Sequence, residues 1–373
     1  MKRRWMGMFF VLFLCFVSLP VQAYEADVEA IYDEQYQASG AEDLPGLLPD
    51  ETRQQLDQLG ITPENAADQA GSSDWLQQLG DTLRDKLVSP LRTCGLCLTI
   101  VVLAGLSRVF ETDSLSSVPA DLTCVAAFLV LLPSLVSVIQ MSKEVLDGAS
   151  AFMIGAVPVY TGVLASLGKA VSAGVLGAWM MAAGNAVAWM AQQMILPFLL
   201  ILLAFAAVCG IAAPEFGHIG NGLYSVVKWL LILAVTVFTG LLSMQTLLSG
   251  AADGAAGKAA RLVIRNAVPV VGGLIGDATG AVQASISLLR SGIGAFVLLA
   301  LLITFMPLLI EASVWIGVLY LASVSAQLFG LGRLSGMFTA CKSVMQILFA
   351  CLISSGMILT VCAGVILSVG GAA

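Results

Sequence analysis

Long apolar stretches separated by short polar breaks fill the chain from about residue 93 onward. An α-helix needs roughly 20 mostly apolar residues to cross the hydrocarbon core of a bilayer. Stretches near that length lie at roughly 93–110, 121–141, 149–168, 171–191, 193–213, 223–249, 291–310, 312–332 and 343–369. The pattern predicts an all-α, polytopic helical membrane protein with its transmembrane domain over residues 93–373.

Several of these candidate spans contain a proline, namely Pro133, Pro158, Pro197 and Pro307. A proline inside a helix lacks the N–H that would bond to the carbonyl four residues earlier, so each of these positions favours a kink. Glycine and alanine are abundant throughout the domain, and small residues let neighbouring membrane helices approach closely.

Composition supports a bilayer as the solvent of most of the chain. The protein is 58% hydrophobic and only 11% charged, whereas a soluble domain carries about 25% charged residues. The net charge of −7 comes largely from residues 24–88, which hold fifteen Asp and Glu against Arg53, Arg84 and Lys86. No basic run is present, so nucleic-acid binding is not expected.

The first 23 residues have the pattern of a signal peptide. Lys2, Arg3 and Arg4 precede an apolar stretch that ends near Leu19, and residues 21–23 (Val-Gln-Ala) form a small-residue cleavage site. An uncleaved anchor is the alternative. Either way, the chain from Tyr24 onward is expected to start on the extracytoplasmic side.

Residues 24–92 form the predicted acidic extracytoplasmic segment. Its first part, 24–72, is polar and acidic and is interrupted by Pro45, Pro49 and Pro63, which predicts short helices and loops without a core large enough to fold alone. A helical stripe follows a Ser-Ser-Asp cap at 72–74 and consists of Trp75, Leu76, Leu79, Leu83 and Leu87. This amphipathic helix is expected to lie on the membrane surface or dock to a partner; packing against its own neighbours is the alternative.

The stretch from Ala251 to Arg290 is too polar for a comfortable span and too apolar for a free loop. It contains a basic helical face and then glycines at every fourth position, with Asp277 beside them. Such small-residue faces favour tight helix contact, and acidic residues within a membrane usually face protein or water. The candidate assembly or cavity-lining residues are Asp253, Lys258, Asn266, Pro269, Gly272, Gly273, Gly276, Asp277 and Gly280.

Two interpretations of this stretch stay open. It forms either a pair of half-membrane or interfacial helices that line a cavity or meet another subunit, or an ordinary helix hairpin packed within the protein. Its orientation is also open. Counting crossings places residues 251–290 outside the cytoplasm, although clusters of Lys and Arg normally remain inside.

Catalytic chemistry is not indicated by the sequence. The single histidine, His218, lies in a short loop, and no hydrolase, zinc-protease or phosphate-loop motif is present. Cys94 and Cys97 have redox-motif spacing but lie at a membrane boundary without the βαβ pattern that such chemistry uses. We therefore expect no enzyme activity, cofactor or metal site.

Three segments resemble stage III sporulation protein AE: Phe152 to Pro158, Ala252 to Lys258, and Asn266 to Gly273. The resemblance covers roughly residues 75–370 and implies a subunit of a channel-like or secretion-like complex, made in the mother cell and located in the outer forespore membrane. It further implies three kinds of partner besides the lipid bilayer: ring-forming stage III proteins, a cytoplasmic ATPase, and a forespore-membrane protein across the intermembrane space. The family supplies no catalytic residues.

A stand-alone secondary transporter is the alternative function. Interrupted helices and intramembrane acids suit a substrate site near mid-membrane, and Asp277 and Glu311 are the main candidates for ion coupling. No convincing internal repeat accompanies them.

Overall fold

The fold is helical throughout the part of the chain that the structure describes. This computed structural model describes residues 32–69, 74–109, 117–212, 217–267 and 272–368; for 254–288 and most of 75–89 it describes the backbone alone. No β-strand occurs within these ranges, which confirms the predicted all-α class. The predicted signal peptide lies outside the described residues. For the stripe from Trp75 to Leu87, only the helical backbone is described.

The N-terminal segment consists of short helices joined by tight turns, as predicted. Helix α1 covers residues 32–39, and a 3₁₀ helix (Ala41–Leu47), α2 (Asp50–Leu59) and α3 (Ala66–Gln69) follow. Gly40 and Gly60 form two of the turns with φ of 70° and 62°, a left-handed conformation that glycine adopts without steric cost.

Eight longer or more apolar helices follow in the part of the chain that the structure describes. They are α4 (Asp74–Val109), α5 (Ser117–Gly155), α6 (Val157–Ser166), α7 (Ala170–Trp189), α8 (Leu196–Ala212), α9 (Gly217–Ala267), α10 (Gly272–Leu328) and α11 (Gly332–Ser368). A π-helical turn, Met190–Ile195, joins α7 to α8.

Within the described residues, five helical runs are long and apolar enough to cross a bilayer, so the chain is a multi-pass membrane protein. They are Leu122–Ser166, Ala170–Val208, Ser225–Asp253, Ser291–Leu328 and Gly332–Val365, with Pro90–Leu106 as a shorter apolar helix. In three places, two of the predicted spans fall within one of these runs. The predicted breaks lie at polar residues, such as Gln192 and Glu311, through which the helix continues.

Helix α11 lies at the centre of the bundle and packs against α5, α7, α8, α9 and α10. Its turn with α10 is closed by a polar cluster around two buried serines. The hydroxyl oxygens of Ser323 and Ser335 lie 3.1 Å apart, Ser323 and Thr339 lie 2.9 Å apart, and Gln327 donates to Ser335 at 3.0 Å. Such hydrogen bonds join membrane helices that share no water-driven hydrophobic attraction.

Helix α9 contrasts with α10 in exposure. Only 6% of the most apolar stretch of α9 is buried inside the protein, against 67% of the most apolar stretch of α10. Large apolar side chains such as Trp229 and Leu247 point outward, which is the arrangement expected where the surrounding solvent is hydrocarbon.

Candidate functional site

Asp253 joins α9 to α7, two helices that are far apart in the sequence. It lies on α9 with 7% of its surface exposed, and its two carboxylate oxygens accept hydrogen bonds from the backbone N–H groups of Val171 at 3.1 Å and Ser172 at 2.9 Å. These N–H groups belong to the first turn of α7, where they have no partner within the helix. The carboxylate also complements the positive end of the helix dipole. Asp253 therefore caps α7 from outside.

The same contact is extended by a second polar pair. The hydroxyl of Ser172 donates to the hydroxyl of Ser249 at 3.4 Å, and Ser249 lies one turn before Asp253 on α9. Ser249 in turn donates to the carbonyl of Thr246 at 3.2 Å. Both serines are buried, so the three side chains form one hydrogen-bonded contact between α7 and α9.

The other predicted site residues lie beyond Asp253, on or between two helical arms. Lys258 and Asn266 are on the backbone of α9, whereas Gly272, Gly273, Gly276, Asp277 and Gly280 are on that of α10. Pro269 falls outside the described residues. The helical backbone puts Gly272, Gly276 and Gly280 on one face, as the four-residue spacing predicted. Their role in assembly or cavity lining stays a prediction.

The arms are continuations of long helices rather than separate half-membrane helices. Helix α9 has 51 residues and α10 has 57, which correspond to about 77 Å and about 86 Å of helix. A bilayer core needs only about 30 Å. Residues 254–267 and 272–290 are thus the last part of α9 and the first part of α10 (the arms, below), and both interpretations of this stretch stay predictions.

The N-terminal segment packs against α5 and α10. We call residues 32–69 the strap. Seven of its apolar side chains are buried against the helices although the segment as a whole is polar; they are Tyr36, Ala41, Leu44, Leu48, Leu56, Ile61 and Ala66. The strap thus packs into the hydrophobic core of the helical domain. This packing orders a segment that is too small to fold alone.

Three glycines on the helices make room for the strap. A Cβ at Gly148 of α5 would lie 2.6 Å from Cγ of Pro49, and one at Gly155 would lie 2.9 Å from Cδ1 of Leu47. A Cβ at Gly292 of α10 would overlap the carbonyl oxygen of Pro63. Since Gly292 directly follows the second arm in the sequence, the strap contacts α10 just beyond that arm.

A polar contact and a cavity lie where the strap crosses α10. The hydroxyl oxygens of Thr52 and Thr304 are 3.1 Å apart, and both residues are buried. A cavity of about 190 Å³ opens beside them, between α2, α5 and α10, and its lining includes Glu51, Glu144 and Pro307. This junction combines hydroxyl, carboxylate and apolar groups.

Tyr36 of the strap is buried, and this burial changes the pKa of its side chain. Burial of the ring raises the pKa of its phenol to about 12, with smaller contributions from the carboxylates of Glu64 and Glu42 and from Tyr32. The rings of Tyr32 and Tyr36 stack with their centroids 6.2 Å apart. Tyr36 therefore stays neutral at physiological pH, within the packed face of α1.

Sequence reasoning selected Asp253 but missed the strap contacts. Gly148 and Gly155 are seven residues apart, so they share a face of α5, and that spacing was the available signal. Thr52 and Thr304 gave no such signal, because nothing in a sequence pairs two residues 252 positions apart.

One known protein family matches most of the helices described above. The family model for stage III sporulation protein AE matches residues 69–370, which include α4 to α11 and both arms. The chain belongs to the stage III sporulation protein AE family. The resemblance noted in the sequence is thereby confirmed, and the strap, apart from its last residue, precedes the matched part.

A curated member of the stage III sporulation protein AE family is similar to the chain at the level of individual residues. The relative is stage III sporulation protein AE of Bacillus subtilis (strain 168), which is 24% identical over 255 residues. The alignment covers 67% of the chain and 63% of the relative, so the chain spans somewhat less than two thirds of that protein. No solved structure matches the chain.

Proposed function

We propose that the chain is a membrane subunit of a multiprotein channel or secretion-like complex in the outer forespore membrane, required for endospore development. Membership of the stage III sporulation protein AE family is the observation that carries this proposal. The family match extends over the whole multi-pass domain, so the proposal concerns the part of the chain that lies in the bilayer.

The proposed partners are other stage III sporulation proteins: ring-forming subunits, a cytoplasmic ATPase and a forespore-membrane protein across the intermembrane space. One feature of the described residues supports an assembly role. The strap exposes acidic side chains such as Glu42, Asp43 and Asp57 while burying its apolar side. A charged surface suits contact with other proteins.

Deletion and complementation in an endospore-forming host test this proposal. Loss of the gene should block sporulation, and the tagged chain should restore it and co-purify with stage III proteins from detergent. Gly276→Leu should reduce that recovery, because it fills the predicted small-residue face of the second arm. Gly317→Leu is the matched control on the same helix, at an exposed glycine with open space around it. Normal sporulation without the gene would contradict the proposal.

A stand-alone transporter remains the second candidate because Glu311 is buried within α10 and makes a polar or electrostatic contact there. Its proposed companion, Asp277, lies 34 positions earlier on the same helix, about 51 Å away along the axis. One substrate site within a single chain cannot include both residues. Substrate flux into liposomes that Glu311→Gln abolishes would favour the transporter; absence of flux favours the assembly role.

A further inference from the structure

Helix α10 contains a weak point in its backbone at Pro307. Proline lacks an N–H, so the carbonyl of Ile303 loses the hydrogen bond that would otherwise hold this turn. In the same turn, the hydroxyl of Thr304 donates to the carbonyl of Ala300 at 2.7 Å, a contact that competes with the helical ladder and favours bending. Two devices that bend helices therefore coincide within one turn.

Empty space lies beside this turn. Ile303, Thr304 and Pro307 line the cavity of about 190 Å³ from the side of α10, while Thr52 and Gln55 line it from the strap. The cavity is large enough for water to solvate a freed carbonyl, and Glu51 and Glu144 at its edge are exposed. Bending at Pro307 would thus leave no buried carbonyl without a partner.

The strap is fastened to the side of α10 that precedes Pro307. Thr304 uses its only hydroxyl proton on Ala300, so Thr52 must be the donor in the contact between the two threonines. The second fastening is the close approach of Pro63 to Gly292, about 18 Å earlier along the helix. Pro49 meanwhile sits on Gly148, so the strap ties this half of α10 to α5.

We propose that the strap is a clamp on a hinge in α10 at Pro307. With the strap docked, residues 291–306 are held against α5, and the hinge is fixed. When the strap leaves, α10 can bend at Pro307, so that the half after Pro307 moves relative to residues 291–306. The clamp is a property of the isolated chain and does not depend on the proposed complex, so each proposal can fail separately.

The hinge is tested by measuring a distance across it. Spin labels at Leu302 and Leu321, both partly or fully exposed on α10, lie on opposite sides of Pro307, about 29 Å apart along the helix. The labels are attached to Leu302→Cys and Leu321→Cys in the full chain, with the native cysteines replaced by alanine. Pulsed electron paramagnetic resonance in nanodiscs then gives the distribution of distances between the two labels. We expect one narrow distribution while the strap is docked.

Two variants release the strap, and limited proteolysis of residues 32–69 verifies the release. Gly292→Leu displaces the strap sterically. Thr52→Val removes the hydroxyl that donates to Thr304 while keeping the side-chain shape, and this second variant is used if the first folds poorly. Each should at least double the width of the distribution. Gly317→Leu, at an open position of the same helix, should leave the width unchanged.

Restoring the missing N–H then identifies Pro307 as the hinge. Pro307→Ala combined with either strap variant should return the distribution to its narrow form, because the Ile303 carbonyl regains its helical partner. The proposal is overturned if the strap becomes sensitive to protease while the distances stay unchanged. It is equally overturned if Pro307→Ala fails to narrow a broadened distribution.

Discussion

The backbone N–H of Ser172 donates a 2.9 Å hydrogen bond to the carboxylate of Asp253, which lies 81 residues later in the chain. A helix cap usually comes from the residue just before the helix, yet Lys169, at the N-cap of α7, makes no side-chain cap hydrogen bond. The capping group of α7 is instead Asp253 of α9. The position of α7 in the bundle is therefore coupled to that of α9 at a residue inside the family-matched region.

Replacing Asp253 should lower stability in a graded manner. Asp253→Ala leaves two N–H groups of α7 without their acceptor, which we expect to cost about 1–3 kcal/mol. Asp253→Asn should cost less, since its carbonyl oxygen still serves one of them. Thermal unfolding in detergent measures both, with exposed Asp57→Ala as the control. Equal melting temperatures for Asp253→Ala and the control would contradict the capping role.

Adding one methyl group at Gly292 should loosen the strap. In Gly292→Ala the new Cβ overlaps the carbonyl of Pro63, and relieving this overlap should cost about 1–3 kcal/mol. The measurement is the rate of proteolysis within residues 32–69, together with the melting temperature.

Gly317→Ala provides the comparison for that substitution. Nothing lies within 4 Å of its added Cβ, so the higher helix propensity of alanine should make it neutral or stabilising by up to about 1 kcal/mol. If both alanine variants behave alike, the close packing of Pro63 on α10 is refuted.

Truncating Leu56 should have a large effect although it lies in a polar segment. Its side chain is 1% exposed, and a buried Leu→Ala change costs about 2–5 kcal/mol. Gln58→Ala on the same short helix is exposed and should change little. Urea unfolding followed by strap-specific proteolysis distinguishes them; a harmless Leu56→Ala would show that the strap does not share the core of the helices.

Strap docking should persist at neutral and moderately alkaline pH and fail only in strong alkali. The docked pKa of Tyr36, about 12, exceeds its ordinary value of 10.0, so its contribution is complete below pH 10 and is lost as pH rises through about 12. The difference in tyrosinate absorbance between the wild type and Tyr36→Phe reports this titration. A midpoint near 10 would mean that Tyr36 is solvated.

The sequence allowed the fold class to be predicted because bilayer-spanning helices depend on local apolar runs. Span boundaries were less predictable, since polar residues such as Glu311 interrupt a run without ending the helix. Asp253 was recognisable as an unusual acid beside an apolar stretch. Its partner Ser172 was not, because backbone N–H groups carry no mark in the sequence.

The strap was the least predictable feature for a related reason. Its acidic composition describes the exposed face, whereas Leu44 and Leu56 depend on surfaces that α5 and α10 provide. A residue buried by a distant element looks the same in sequence as an isolated surface leucine.

The distance in sequence between Thr52 and Thr304 also sets an order of events during synthesis. The strap emerges from the ribosome early, but its docking surface on α10 does not exist until about 250 further residues have been made. Until then Leu44 and Leu56 have nothing to pack against. Docking is therefore among the last contacts to form, and a chain in which α10 fails to insert would keep a strap that proteases can recognise and destroy.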